Sequence, residues 1–259
     1  MACEHLIRRR LITVDELKTL PTPILFHVGV HGEKEKEDYV EDSIFIDFES
    51  LLGVESPDKK SFVLPDMNEF AKSMMKHGLN PGSLIAVYAP SGIHMAARFW
   101  WMLKTLGIIG YVIYDYENLK VYDYVRPKTQ NFETLVYDES HVVEFEDVQK
   151  MIDNPNYYIV DSRDEDVYSG AERPSNPLSG HIPGAHNHFY AKLIEEGIPD
   201  YPEINMEFPI EDEMIILYCN SGATSTINAL LLESISRDYK LYPGSFKDWI
   251  MHHGEIEID

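Results

Sequence analysis

One pattern of apolar runs and helical stretches occurs twice along this chain, about 130 residues apart. The first copy opens with TVDELKTL (13–20), where Thr13 and Glu16 have the spacing of a capping box on a short helix, and runs into ILFHVGV (24–30). The second copy gives FEDVQKMI (145–152) and then YYIVDSR (157–163). LIAVYAPSG (84–92), ahead of the helical stretch MAARFWWMLKTL (95–106), has its counterpart in MIILYCNSG (214–222), ahead of TSTINALLLESI (224–235). YVIYDY (111–116) corresponds to YKLYPG (239–244). The segment pairs keep one order and nearly one spacing, which chance matching of short apolar runs does not produce.

Each copy therefore reads helix, strand, strand, loop, helix, strand. The strands are short continuous apolar runs, as expected where helices cover both faces of a sheet. Alternation with helices predicts an α/β fold of two tandem domains, each a mostly parallel sheet flanked by helices. A length of 259 residues suits two modest domains. The expected boundaries are 8–118 for the first, a polar linker without periodicity over 119–143, and 144–259 for the second.

Charge narrows the partners. Twenty-two Lys and Arg stand against 44 Asp and Glu, a net charge of −22, so nucleic acid and anionic membrane surfaces are repelled. No apolar run is long enough to span a bilayer. Neither nucleic acid nor membrane is an expected partner, and a site for an anionic substrate has to be built against the overall field. The two cysteines, Cys3 and Cys219, make no disulfide framework. The start MACEHLIRRRLIT lacks the apolar region of a signal peptide, so a cytoplasmic location is expected, with a mitochondrial one left open by Arg8 to Arg10.

In an open α/β sheet, chemistry collects at the carboxyl ends of strands. Cys219 is placed there: MIILY is the strand, CNSGATS (219–225) the loop, and a helix with Ile227, Leu230, Leu231 and Ile235 on its apolar face follows. A tight loop feeding a helix start turns backbone N–H groups inward and adds the positive end of the helix dipole, which favours a thiolate nucleophile. Gly222 allows a close turn, and Ser221, Thr224 and Ser225 supply hydroxyls. The competing reading is a buried strand-end cysteine without chemistry. Against it stand the polar residues that follow Cys219 and the equivalent loop of the first copy, which begins at Ala89 and has no cysteine. That contrast suggests one active and one inactive copy.

VDSR (160–163), GHIPGAHN (180–187), YCNSGATS (218–225) and YPGSFKDW (242–249), with RFWWML (98–103) in the first half, resemble the tandem-domain rhodaneses and mercaptopyruvate sulfurtransferases over nearly the whole chain. The resemblance implies a catalytic second domain and a non-catalytic first one. It implies that Cys219, with Ser221, takes a sulfane sulfur from thiosulfate or 3-mercaptopyruvate as a persulfide and passes it to cyanide or a thiol, a thioredoxin-like reductant among them. It implies Asn220, Gly222, Ala223, Thr224, Ser225 and Arg173 around the substrate, and no metal or organic cofactor. Asp161, Arg163, His181, Glu49 and Trp249 are expected in support. For Asp161 and Arg163 an ion pair that satisfies loop amides is an equal alternative; His181 and Gly184 are expected to shape a turn; Phe246 and Trp249 wall the pocket or belong to the core.

Two positions depart from the family. The arginine that holds a mercapto acid's carboxylate is replaced by Val167, and the histidine that pairs with the acid at Glu49 is replaced by Phe62. The loop also carries Asn220 and Ser221 where thiosulfate-preferring members have basic residues. A catalytically weak or inactive rhodanese-fold protein with a binding or redox-sensing role therefore stands as the alternative. A tyrosine-type phosphatase is disfavoured, because the arginine its Cys-x5-Arg loop needs is Ser225 here.

Overall fold

The computed structural model describes residues 9–30, 39–51, 64–121, 123–128, 133–171, 175–195, 198–199, 204, 208 and 213–259. Two compact units result, one running to Leu51 and from Pro65 to Glu139, the other chiefly Ser140–Asp259.

The first unit holds β1 (Leu11–Ile12), β2 (Ile24–Gly29), β3 (Ile44–Asp47), β4 (Leu84–Tyr88) and β5 (Ile109–Ile113), all parallel, in the order β1-β5-β4-β2-β3. Every residue of β2 is buried, the signature of a strand covered on both faces. The expected capping box is present: Thr13 Oγ1 accepts from the Glu16 N–H at 3.0 Å, and Glu16 Oε2 accepts from the Thr13 N–H at 2.9 Å. The RFWWML stretch lies in the helix Ile93–Lys104, and the Trp100 indole donates to the Gly110 carbonyl at 3.0 Å. The helix Met67–Lys76 was not part of the sequence pattern above. It starts on Asp66, whose Oδ1 accepts from Asn68 and Glu69, and it buries Met67, Phe70, Ala71 and Met74. Leu119 and Tyr124 close this unit's core; the Tyr124 hydroxyl accepts from the Leu25 N–H at 2.9 Å and donates to the Pro23 carbonyl at 3.2 Å.

The second unit holds β6 (Tyr157–Asp161), β7 (His186–Asn187), an antiparallel pair β8 (Ile194–Glu195) and β9 (Ile198–Pro199), then β10 (Met214–Tyr218) and β11 (Tyr239–Leu241). Its main sheet is parallel with the order β11-β10-β6-β7. Val142 forms a parallel bridge to Leu241 at the outer side of β11, the place β1 takes beside β5. The two sheets thus correspond in strand order: β6 to β2, β7 to β3, β10 to β4, β11 to β5. The repeat read from sequence is a repeat of topology.

The helix Ser225–Ser234 differs from the single apolar face expected for it. It is buried nearly all round, Ser225, Thr226, Asn228 and Ser234 included. Three of those polar side chains find partners: Thr226 Oγ1 donates to the Ala223 carbonyl and Ser234 Oγ to the Leu230 carbonyl, one turn back, and Asn228 Nδ2 to Ser162 Oγ and the His188 carbonyl outside the helix. No described helix is long and apolar enough to cross a membrane.

Trp249, on the helix Ser245–Met251, is 1% exposed and belongs to the second unit's core, its ring centroid 5.0 Å from that of Phe145 and its indole N–H donating to the Glu255 carbonyl at 2.7 Å. Replacing Trp249 with alanine leaves a large cavity and an unpaired carbonyl. A loss of about 3–5 kcal/mol is expected, read as a shift of the urea unfolding midpoint.

Candidate functional site

Cys219 follows β10 directly, at the carboxyl edge of the second sheet, and is 1% exposed. Its backbone is held on both sides. The Cys219 N–H donates to Ser245 Oγ at 3.2 Å, and the Cys219 carbonyl accepts from the Phe246 N–H at 2.9 Å. The next carbonyl, that of Asn220, accepts from the Lys247 N–H at 3.2 Å. Ser245 is buried and left-handed, φ 58°, a conformation costing a non-glycine residue on the order of 1–2 kcal/mol. Its hydroxyl compensates by bridging: it accepts from Cys219 and donates to the Tyr242 carbonyl at 2.9 Å.

The loop then turns through Gly222, φ 75°, into the helix Ser225–Ser234. The Thr226 and Ile227 amides fold back onto the carbonyls of Ala223 and Thr224. No side chain caps the helix start at Thr224. The Thr226 and Ile227 first-turn amides are thus taken by loop carbonyls, while the strand-to-helix loop ahead of them has the general form that turns backbone N–H groups toward an anion. Asn220, Ser221 and Thr224 are half-buried; Gly222, Ala223 and Ser225 are buried, and Ser225 is the first helical residue, its hydroxyl without a hydrogen-bond partner.

Beside the loop lies a buried ion pair. Asp161 ends β6 and is 0% exposed; Arg163, two residues on, is 5% exposed. Arg163 Nε donates to both Asp161 carboxylate oxygens at 2.8 and 3.0 Å, and Nη2 to Oδ2 at 2.5 Å. Nη2 also donates to the Gly180 carbonyl at 2.6 Å, and Nη1 to the Leu178 carbonyl at 2.6 Å and to Asn220 Oδ1 at 3.3 Å. The guanidinium lies over the Phe246 ring, 4.1 Å from its centroid. Burial works against the Arg163 charge, but the Asp161 carboxylate more than offsets it, and the pKa stands above the ordinary arginine value. The structure shows the ion pair, and the guanidinium also reaches Asn220 in the cysteine loop.

His181 and Gly184 lie in the turn that follows. Gly184 has φ 71°; the His181 ring stacks on Tyr168 at 4.0 Å, and its Nδ1 is 3.0 Å from the Tyr168 carbonyl. The Tyr218 hydroxyl, one residue before the cysteine, accepts from the Ile182 N–H at 3.1 Å, and burial pushes its pKa far up, so it stays neutral. Val167 is half-buried on the helix Glu165–Tyr168, its carbonyl accepting from the Gly180 N–H at 2.8 Å. Phe246 and Trp249 both belong to the core, and Phe246 also presents its ring face to Arg163. Glu49 is an exposed residue of a short 3-10 helix in the first unit, its N–H donating to Asp47 Oδ1 at 3.2 Å. Phe62 and Arg173 lie outside the described residues. Sequence reasoning missed Ser245, Asn228 and the carbonyls of Leu178 and Gly180. Ser245 sat in a segment already singled out, but nothing in GSFKDW signals its hydroxyl's reach of 26 residues back to Cys219. Among the described residues no cluster of His, Cys, Asp and Glu is arranged to hold a metal ion.

Comparison with known proteins gives this α/β domain its class. Residues 144–252 match the family model of the rhodanese-like domain. The chain is 26% identical over 226 residues to the 3-mercaptopyruvate sulfurtransferase of Escherichia coli, spanning 82% of this chain and 80% of that protein. It is 22% identical over 251 residues to the thiosulfate sulfurtransferase of Saccharomyces cerevisiae, spanning 83% and 81%. The crystal structure of SseA from Escherichia coli, described as a rhodanese fold, superposes with a TM-score of 0.70 at 23% identity over 92% of this chain and 98% of that one. The second unit is a rhodanese-like domain. Over most of its length the chain is similar to these sulfurtransferases, and its fold is that of tandem rhodanese-like domains.

Removing the Asp161 carboxylate leaves a buried, uncompensated guanidinium. Asp161→Ala is expected to cost about 3–5 kcal/mol, more than an exposed ion pair could, measured by urea unfolding.

Proposed function

We propose that this protein is a sulfurtransferase that carries a sulfane sulfur on Cys219. The observation that carries this reading is the backbone geometry around Cys219: a thiol at a strand's carboxyl end, held through its own N–H and carbonyl, beside a helix start that no side chain caps. The names of the curated relatives support the same class of reaction.

The Cys219 thiolate attacks the outer sulfur of the donor. A Cys219 S–S bond forms as the donor's bond to that sulfur breaks. The leaving group departs with the electron pair, as sulfite from thiosulfate or as the pyruvate enolate from 3-mercaptopyruvate. The charged outer sulfur sits against the N–H groups of residues 220–225, with Ser221 and Thr224 hydroxyls as further donors. An acceptor nucleophile, cyanide or a thiol such as that of a thioredoxin-like reductant, then takes the outer sulfur and returns the Cys219 thiolate. Asn220, Gly222, Ala223 and Ser225 shape the cradle, and Asp161, Arg163 and His181 support it. The reaction needs no metal or organic cofactor, and a cytoplasmic setting suits it.

Val167 favours a donor other than 3-mercaptopyruvate, because no guanidinium at that position holds a carboxylate. A protein with weak turnover and a binding or redox-sensing role is the second reading, and the same residue supports it. Intact-protein mass spectrometry after incubation with each donor separates the two. A gain of one sulfur mapped to Cys219 and removed by cyanide is the expected outcome; no gain with either donor sinks the sulfur-carrier reading. Cys219→Ser should lose the added sulfur while keeping its unfolding midpoint. Val167→Arg should lower the Michaelis constant for 3-mercaptopyruvate about tenfold, the worth of one charge-assisted hydrogen bond; an unchanged constant would remove position 167 from the substrate site.

A further inference from the structure

Residues 255–259 run along the turn that supplies Arg163 with its carbonyl acceptors. The Trp249 indole holds the Glu255 carbonyl at 2.7 Å. His181 and Glu257 exchange a pair of backbone hydrogen bonds, both 2.9 Å, as an antiparallel bridge. The Glu257 carboxylate then reaches into the turn: Oε2 accepts from the Gly184 N–H at 2.9 Å and lies 3.6 Å from His181 Nε2. Beyond it, the Asp259 N–H donates to the Ser169 carbonyl at 3.0 Å, and Ile258 covers Gly170 so closely that a Cβ there would lie 1.6 Å from Ile258 Cγ2.

The turn clamped in this way has two carbonyls, those of Leu178 and Gly180, that accept from Arg163, and Arg163 in turn donates to Asn220 Oδ1, next to the cysteine. A guanidinium is a planar fork with fixed donor directions. Where its acceptors sit therefore sets where its remaining N–H points, and a shifted turn displaces the group that holds Asn220. Glu257 is half exposed. An exposed carboxylate on one amide adds little to global stability, so its effect is local.

We propose that Glu257 is a positioning residue for the Cys219 loop, acting through the turn 178–184 and Arg163 on Asn220. The inference rests on the reading of Cys219 as the sulfur carrier, and two readouts separate them. The first is the rate of sulfur loading of Cys219 from thiosulfate and from 3-mercaptopyruvate. The second is the rate of alkylation of Cys219 by iodoacetamide, mapped by peptide mass spectrometry, which needs no donor. Three variants are compared well below their unfolding midpoints. Glu257→Ala removes the acceptor, Glu257→Gln keeps an oxygen for the Gly184 N–H, and Ile258→Ala loosens the same segment without touching the turn's hydrogen bonds. Glu257→Ala should load sulfur about tenfold more slowly, the order of loss that a small misplacement of a reacting group produces. It should alkylate about fivefold faster as the enclosed thiol opens, with Glu257→Gln and Ile258→Ala within about twofold of the parent in both readouts. Alkylation of Glu257→Ala at the parent rate, or an Ile258→Ala that matches it, overturns the proposal. A parent chain that takes no sulfur from either donor while alkylation follows the expected pattern overturns the sulfur-carrier reading and leaves the positioning role standing.

Discussion

Arg163 is held where water cannot solvate it, and the second unit is organised around satisfying it. Asp161 supplies the counter-charge from the end of β6, Leu178 and Gly180 supply carbonyls, Asn220 supplies its amide oxygen, and Phe246 offers its ring face. A buried ion pair is a poor source of net stability, because desolvation consumes most of the Coulombic gain. What it secures here is registry: a strand end, a turn and a cysteine loop cannot shift independently while one guanidinium is bonded to all three.

The two copies show how little of a shared scaffold decides chemistry. Both sheets have the same strand order, and in both a loop leaves the central strand for a buried helix. In the first unit that loop starts at Ala89 and reaches Gly92, whose φ of 148° is closed to most side chains, with the His94 ring 2.6 Å from where a Cβ would be. Burial lowers the His94 pKa, and the Phe48 ring meets it edge-on. In the second unit the corresponding place is held by Cys219 and a loop of hydroxyl residues. The two loops differ, and the sheet beneath them is common to both.

Much of this was legible in the residues. Continuous apolar runs marked β2, β4, β5, β6, β10 and β11, because strands buried on both faces leave that pattern whatever surrounds them. Thr13 and Glu16 announced their capping box through spacing alone. The edge strands β3 and β7 escaped notice: IFID is only four residues, and His186–Asn187 only two, too short for any period to emerge. The all-round burial of the helix Ser225–Ser234 was hidden by its polar residues, above all Asn228, whose partners Ser162 and His188 lie 66 and 40 residues away in sequence. The left-handed Ser245 and the clasp of Glu257 on Gly184 are tertiary facts of the same kind: no local rule assigns a serine positive φ, and an acidic residue near the end of an acidic chain attracts no attention.

The enclosure of Cys219 has a kinetic side. At 1% exposure, its encounter rate with a reagent is governed by size and by how often the loop breathes, as well as by nucleophilicity. Small anions enter between fluctuations, whereas bulky disulfides and protein oxidants have to wait for an opening. Overoxidation and indiscriminate disulfide exchange, the ordinary fates of an exposed thiol, are slowed at a buried one by access. A thiol enclosed in this way meets reagents by size before reactivity, and a bulky one reaches it only on a protruding, narrow segment.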